Sequence, residues 1–400
     1  MTSLPPLVEL GPELTREQIE RYSRHLLVPG IGMPGQRRLL NARVCVVGAG
    51  GLGCPALQYL AAAGVGQITL IDHDVVEVSN LQRQVLHRTA DVGMPKVASA
   101  ARAVRELNPM VSVTTRHTEV TAENVRDLIA GHDVVLDGTD NFPTRYLVND
   151  ACAAMSVPLV WAAVLRFDAQ VSTFVPVPLV AADDAVQLRD LFPTAPPPEV
   201  VPSCADAGVL GSMVGQVGSI MATEAIKLIT GVGEPLVGRV LLLDVAGMRT
   251  REIPLRPNPG RTLVEAAVTT GGQSSVATTG TGGSLGADDR PGAGQSPVPS
   301  VSPRELAGHR DRVTVLDVRE PAEHALGVIE SAQLVPLDEV LTWTDLDALP
   351  SGPVVVTCKV GPRAERAARH MIALGRPDVR VLRGGMLAWI DEVDPSLPRY

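Results

Sequence analysis

Aromatic residues make up only 3% of this 400-residue chain, so the core has to be assembled from Val, Leu, Ile and Ala, and the 45% apolar content excludes a disordered polypeptide. Cysteine is sparse too. Five scattered thiols, an odd number in a long chain, do not form a disulfide framework and fit a reduced, cytoplasmic enzyme. Excess positive charge is missing: a net charge of −9 leaves no footprint for nucleic acid or an anionic membrane, although a local basic pocket for phosphates is compatible with it. Apolar runs of membrane-spanning length are absent. The nearest approach, Gly208 to Thr230, carries Gln216, Glu224 and Lys227 and reads as a buried helix, while the opening MTSLPPLVELGPEL lacks the basic and apolar blocks of a signal peptide.

What the chain does have is length for two cores. From about Thr269 to Ser300 it runs through Gly, Ser, Thr and Pro with too little apolar area to offset its ordering entropy, which predicts a domain over 1–262, a linker over 263–300 and a smaller domain over 301–400. A flexible stretch of about 30 residues reaches on the order of 30 Å, so tethering can be part of the mechanism. Before the linker, apolar runs alternate with helical patterns: Arg43 to Gly48, helix Pro55 to Ala63, Gln67 to Asp72, helix Val97 to Leu107, Val111 to Thr115, Asp133 to Asp137. Such alternation predicts an α/β fold with right-handed crossovers and a parallel, Rossmann-like sheet. After the linker the pattern restarts on a smaller scale, with strands at Val313 to Asp317, Pro353 to Thr357 and Val379 to Leu382 and helices at Arg363 to Ala373 and Leu387 to Val393.

Gly48, Gly50 and Gly53 form a G-x-G-x-x-G between the first strand and its helix, where backbone N–H groups and the helix dipole hold phosphates, and Asp72 ends the next strand in position to bind ribose hydroxyls. Alone, this pair says only that a nucleotide binds, and a nicotinamide-dependent oxidoreductase is one outcome. Downstream lie Ser79, Asn80, Arg83, Lys96, Asp140 and Asn141. Hydride transfer has no use for two cations and a carboxylate near the phosphates, whereas attack on an α-phosphorus builds negative charge that Arg and Lys stabilise while an acidic residue holds Mg²⁺. The polar set favours ATP. Asp140 also reads as the cap of a helix starting at Phe142, a role compatible with metal binding.

The segments RYSRHLLVPGIGMPGQRRL at 21–39, VVGAGGLGCPALQYLAAAGVGQITLID at 46–72, SNLQRQVLHRTADVGMPK at 79–96 and DGTDNFPTRYLVND at 137–150 resemble the MoeB, ThiF and HesA group, bacterial relatives of ubiquitin-activating enzymes. The resemblance implies that Gly51, Asp72, Asn80, Arg83, Lys96 and Asp140 line an ATP site and that Arg24 is supplied across a homodimer interface. It also implies the substrate, the terminal Gly-Gly carboxylate of a ubiquitin-like sulfur carrier, converted to an acyl-adenylate. Many relatives carry two CxxC motifs for zinc; the corresponding stretches PVPLVAADDAVQLRDLFP and RPNPGRTLV contain no cysteine, so no zinc site is expected. In this family the cysteine matching Cys204 can bond covalently to the activated carrier, whereas packing alone also accounts for a thiol at a helix start. Passing the carrier on as a thioester, without sulfur transfer, is the alternative activity. Cys45, Cys54 and Cys152 read as core residues.

Near the C-terminus the strand PVVVT runs into Cys358-Lys359-Val360-Gly361-Pro362-Arg363 and a helix, which places a thiol among backbone N–H groups at a helix N-terminus, where a thiolate or persulfide is stabilised. Four residues separate Cys358 from Arg363, too few for the phosphate-wrapping C-x5-R of cysteine phosphatases. The loop resembles that of rhodanese sulfurtransferases, as do LDVREPAEHALGVIESA at 316–332 and LRGGMLAWIDEV at 382–393; Val360 and Pro362 depart from the usual loop. Taken together the halves resemble the MoeZ and MOCS-three class of fused adenylyltransferase and sulfurtransferase proteins, which implies sulfur transfer from a Cys358 persulfide, loaded by thiosulfate or a cysteine desulfurase, to give a thiocarboxylate. The pathway that implies is molybdenum cofactor, cysteine or thiamine synthesis.

Overall fold

Alternate residues of strand β1 (Arg43–Val47) face opposite ways, and both ways are buried, which is why the strand reads as a continuous apolar run. Val44 and Val46 join one core cluster and Cys45 and Val47 the other, on the two faces of a single sheet. The structure, a computed structural model, describes residues 4–181, 185–194, 208–258, 298–324, 327–346 and 352–397. Its two compact units are Met1–Gly272 and Gln273–Tyr400.

In the first unit β1 is followed by β2 (Gln67–Ile71), β3 (Ser112–Arg116), β4 (Val134–Asp137), β5 (Leu159–Leu165), β6 (Asp168–Phe174), β7 (Arg239–Asp244) and β8 (Arg249–Pro254), in the spatial order β3-β2-β1-β4-β5-β6-β7-β8. The first five of that order run parallel and the last three are added antiparallel. Chain direction across the sheet reverses between β1 and β4, so their carboxyl ends open the crevice in which doubly wound folds bind ligands.

The helices are α1 (Arg16–Leu26), α2 (Gly32–Asn41), α3 (Gly53–Ala63), α4 (Lys96–Leu107), α5 (Val125–Ile129), α6 (Phe142–Ala154), α7 (Leu188–Leu191) and α8 (Gly211–Thr230). Residues of α3, α4 and α8 build the first core cluster, and those of α5, α6 and α7 the second. The expected buried helix is α8, starting three residues later than its apolar run and stopped by Gly231 in the left-handed conformation. Its charges are accounted for: buried Glu224 accepts hydrogen bonds from Thr173 Oγ1 at 2.8 Å and Leu236 N–H at 2.7 Å and is ion-paired with Lys227. Among the described residues no helix is long and apolar enough to cross a membrane.

The second unit holds β9 (Ser300–Val301), α9 (Pro303–His309), β10 (Thr314–Asp317), α10 (Pro321–His324), β11 (Gln333–Leu334), α11 (Leu337–Val340), β12 (Val354–Thr357), α12 (Pro362–Ala373), β13 (Val379–Leu382) and α13 (Gly385–Glu392). Among the described residues its five strands are all parallel, in the order β11-β10-β12-β13-β9. Ser300, expected at the end of the linker, is instead the first residue of β9, paired beside β13, and Val298 already packs against the core. The rest of the expected linker, to residue 297, lies outside the described residues.

Removing the Glu224 carboxylate strands the Thr173 hydroxyl and the Leu236 N–H at once and leaves Lys227 with the Glu234 carbonyl. Glu224→Leu is therefore expected to cost on the order of 3 kcal/mol of stability, read as a lower urea midpoint of unfolding, despite adding apolar volume.

Candidate active sites

Two close approaches shape the turn after β1. A Cβ on Gly53 would lie 1.8 Å from the Gly48 carbonyl oxygen, and Gly48, at φ +95°, packs against Gly138 at the end of β4. The middle glycines, Gly50 and Gly51, face outward and line a cavity of about 280 Å³ at the carboxyl ends of β1, β2 and β4. Of the residues expected at a nucleotide, Gly48, Gly50, Gly51, Asp72, Asn80, Arg83, Lys96, Asp140 and Asn141 line it. Gly53 lies beneath it as the packing partner of Gly48.

Each group is held in place. The Asp72 carboxylate accepts from Ala49 N–H at 2.7 Å and Asp74 N–H at 2.8 Å, which ties the turn to the end of β2 and leaves further lone pairs for a ligand. Lys96, the first residue of α4, is nearly buried and pairs with Asp74 at 2.7 Å. Arg83 donates to the Ser79 carbonyl at 2.9 Å and is partly exposed on the cavity wall. The cap of α6 is Asn141, whose side chain accepts from Thr144 N–H at 2.9 Å, and not Asp140; that expectation is corrected, because the side chain one residue nearer the helix reaches its N–H groups. Asp140 is thereby exposed to the cavity with its carboxylate clear of capping.

Ser79 does not line the cavity, and neither does Arg24, which was expected from a second copy of the chain. Ser79 is exposed and bonds Glu77 at 3.1 Å, while Arg24 stands exposed in the last turn of α1. Cys204 lies outside the described residues. The sequence reading missed others: Gln84, whose buried Oε1 has no partner among the described residues, Asp74, Glu119 and Arg145 all line the wall. Arg145 is buried, donates through Nε and Nη2 to the Thr139 carbonyl and stacks its guanidinium near Phe142 and Trp161. Gln84 and Arg145 sit inside the quoted motifs, and a polar side chain in an otherwise apolar periodicity was the available signal; Glu119, beyond β3, carries none.

Among the described residues, Asp72, His73 and Asp74 are the one group of side chains close enough to share a metal ion. The core reading of three thiols holds: burial pushes Cys45 and Cys54 up to about 12 and raises Cys152, leaving them unreactive.

In the second unit Cys358 follows β12 and is 1% exposed, its side chain packed with Val356 and Ala364. The N–H of Gly361 donates to its Sγ at 3.1 Å, and Gly361 at φ +131° makes the turn into α12. The Cys358 and Lys359 carbonyls accept from Met386 and Leu387 N–H at 2.8 and 3.1 Å, so the start of α13 braces the loop from behind. A side chain on Gly385 would strike that Cys358 carbonyl at 2.3 Å. Arg363 lies on α12, its guanidinium in a two-pronged ion pair with Glu323 at 2.6 Å for each prong. Burial works to raise the Glu323 carboxyl, but Arg363, the Glu320 N–H and Arg319 together hold it below its ordinary value. Fully buried Arg319 grips Asp317 and donates to the Glu323 and Gly327 carbonyls, fixing the segment that carries Glu323.

Comparison with known proteins matches residues 22–263 to the ThiF family and residues 302–392 to the rhodanese-like domain. The chain is 44% identical to a probable adenylyltransferase/sulfurtransferase, MoeZ, of Mycobacterium tuberculosis over the whole of both chains. It is 37% identical to the adenylyltransferase and sulfurtransferase MOCS3 of Drosophila grimshawi, across 97% of this chain and 87% of that one. Over 246 residues it is 52% identical to the SAMP-activating enzyme E1 of Haloferax volcanii, across 62% of this chain and 88% of that one. Among solved structures, Escherichia coli MccB with ATP shares the fold at TM-score 0.54 and 23% identity, over 61% of this chain and 74% of that one.

The Glu323 carboxyl titrates lower when folded than the ordinary 4.5, so its pair with Arg363 contributes stability that is fully present above that value and lost as pH falls through the depressed one. Arg363→Met is expected to cost about 1.5–3 kcal/mol near neutral pH and progressively less in acid, measured as the difference in thermal midpoint from the parent protein across the acid range.

Proposed function

From the chain's membership of the ThiF family, in the branch that carries a rhodanese-like domain, we propose that it adenylates the C-terminal glycine carboxylate of a ubiquitin-like sulfur carrier and then converts that carboxylate to a thiocarboxylate. The observation that carries the reading is the company kept by the glycine turn. Two cations, Arg83 and Lys96, and the uncapped carboxylate of Asp140 line one cavity with Gly50 and Gly51.

In that arrangement the N–H groups of the turn and the Arg83 and Lys96 cations stabilise charge that grows on the α-phosphate and the departing pyrophosphate as the carboxylate attacks. Pairing with Asp74 keeps Lys96 extended at low entropic cost until phosphates compete for it. Asp140 fits Mg²⁺, a hard ion that takes one or two carboxylates besides phosphate oxygens, and the ion would neutralise the triphosphate. Asp72 accepts ribose hydroxyls. Arg24, exposed and away from this cavity, would act from a second copy of the chain in a cytoplasmic homodimer.

The acyl-adenylate is then attacked by the outer sulfur of a Cys358 persulfide, expelling AMP and leaving an acyl disulfide. Cys204 attacks the Cys358 sulfur, which releases the thiocarboxylate and leaves a disulfide between the two cysteines for external thiols to reduce. Gly361 N–H, already 3.1 Å from Sγ, supports an anion at that position. Thiosulfate or a cysteine desulfurase supplies the sulfane sulfur, and the product serves molybdenum cofactor, cysteine or thiamine synthesis. Arg363, neutralised by Glu323, holds the far end of the loop in place.

Cys358→Ala should retain carrier-dependent exchange of pyrophosphate into ATP and form no thiocarboxylate by intact mass; loss of both activities would break the division of labour. Lys96→Ala should do the reverse, lowering exchange about 100-fold or more while Cys358 still takes sulfur from thiosulfate.

A further inference from the structure

Resting on the assignment of ATP to the first cavity, we propose that His87 is a positioning residue for adenylation: by holding the Ala49 carbonyl from behind, it aims the Gly50 N–H at the nucleotide phosphates. His87 is 5% exposed and is not part of the cavity wall. Its Nε2 lies 3.0 Å from the Ala49 carbonyl oxygen. A carbonyl has no proton to give, so Nε2 carries the hydrogen and donates it. The other ring nitrogen, Nδ1, then accepts from the Ser99 hydroxyl at 2.9 Å, and Ser99 Oγ lies 2.6 Å from Asp91. Asp91 in turn is buried and held by the Arg88 N–H at 3.0 Å and by Arg102. The ring is thus locked against turning, because each of its nitrogens has a fixed neighbour.

The consequence follows from the planarity of the peptide bond. Ala49 C=O and Gly50 N–H belong to one trans unit and point in opposite directions. With the carbonyl drawn toward His87 on the buried side, the Gly50 N–H is turned the other way, and Gly50 lines the cavity. The preceding peptide is fixed as well, since Ala49 N–H donates to Asp72 at 2.7 Å. That N–H is spent inside the protein, which leaves Gly50 as the first donor of the turn open to an anion. Cys54 Sγ, 3.2 Å from the same carbonyl, is a weak second donor that cannot orient the peptide as an imidazole does. Ser99 lies on α4, the helix that begins with Lys96, so its hydrogen bond to His87 connects the turn to the helix bearing a phosphate-facing cation.

The test is calorimetric binding of ATP and of adenosine, which lacks phosphates, to the full chain and three variants. His87→Phe fills the ring's volume without the N–H and should weaken ATP about ten- to hundredfold with adenosine unchanged. His87→Gln places an amide N–H where Nε2 stood and should bind ATP within about threefold of the parent. Should His87→Phe fail to fold, Ser99→Ala, which releases the ring, decides: a several-fold loss for ATP alone supports the proposal and an unchanged affinity overturns it. Equal losses for ATP and adenosine, or a His87→Gln no better than His87→Phe, assign the residue to packing and overturn it. A parent chain that binds no ATP overturns the reading beneath it; a parent that binds while His87→Phe binds equally well overturns this inference alone.

Discussion

The approach of Gly53 to the Gly48 carbonyl, closer than any side chain would permit, is what lets one strand end, reverse and begin a helix within six residues. Because Gly48 also abuts Gly138, the turn after β1 and the loop after β4 are pressed together, and the residues that follow each are delivered to the same crevice. Glycine at these positions contributes no chemistry. It removes the Cβ atoms that would otherwise separate a backbone donor array from a carboxylate, and the distance so saved brings Asp140 and the turn to one cavity.

Around that turn the polar groups are already committed to one another before any ligand arrives. Asp72 holds Ala49, Asp74 holds Lys96, Asn141 caps α6, and Arg145 holds the Thr139 carbonyl. Such commitments cost little on ligand binding, since the groups need not be ordered then, and a charge developing in the site meets donors that do not reorganise. The second unit follows the same logic with fewer groups. Its thiol sits on a loop stitched by the first N–H groups of α13, and the neighbouring arginine is neutralised by Glu323 rather than turned loose on the sulfur. Rigidity extends to the partner of that arginine, because buried Arg319 grips Asp317 and fixes the segment that carries Glu323.

Much of this was legible in the chain. Strand and helix alternation placed β1, β2 and β4 to within a residue or two, and the spacing of Gly48, Gly50 and Gly53 marked the nucleotide turn. Nine residues of the cavity wall were named from their motifs, whereas Asp74 and Glu119, which no short pattern distinguishes from ordinary loop residues, were not. Ser79 adjoins Asn80 in sequence, yet the short helical turn there buries the asparagine and leaves the serine exposed and bonded to Glu77.

By itself the sequence determined two α/β units, a glycine turn between the first strand and its helix, and a thiol at a strand-to-helix junction, because these depend on local periodicity and on residues within a few positions of each other. Only the tertiary structure decided that Asn141 rather than Asp140 caps α6, that Arg363 is answered by Glu323 forty residues away, and that His87 stands behind Ala49. Those outcomes turn on which side chain reaches a given N–H or carbonyl once strands distant in the chain have paired, and hydrogen bonds, with reaches of about 3 Å, are settled by that pairing and not by spacing along the chain.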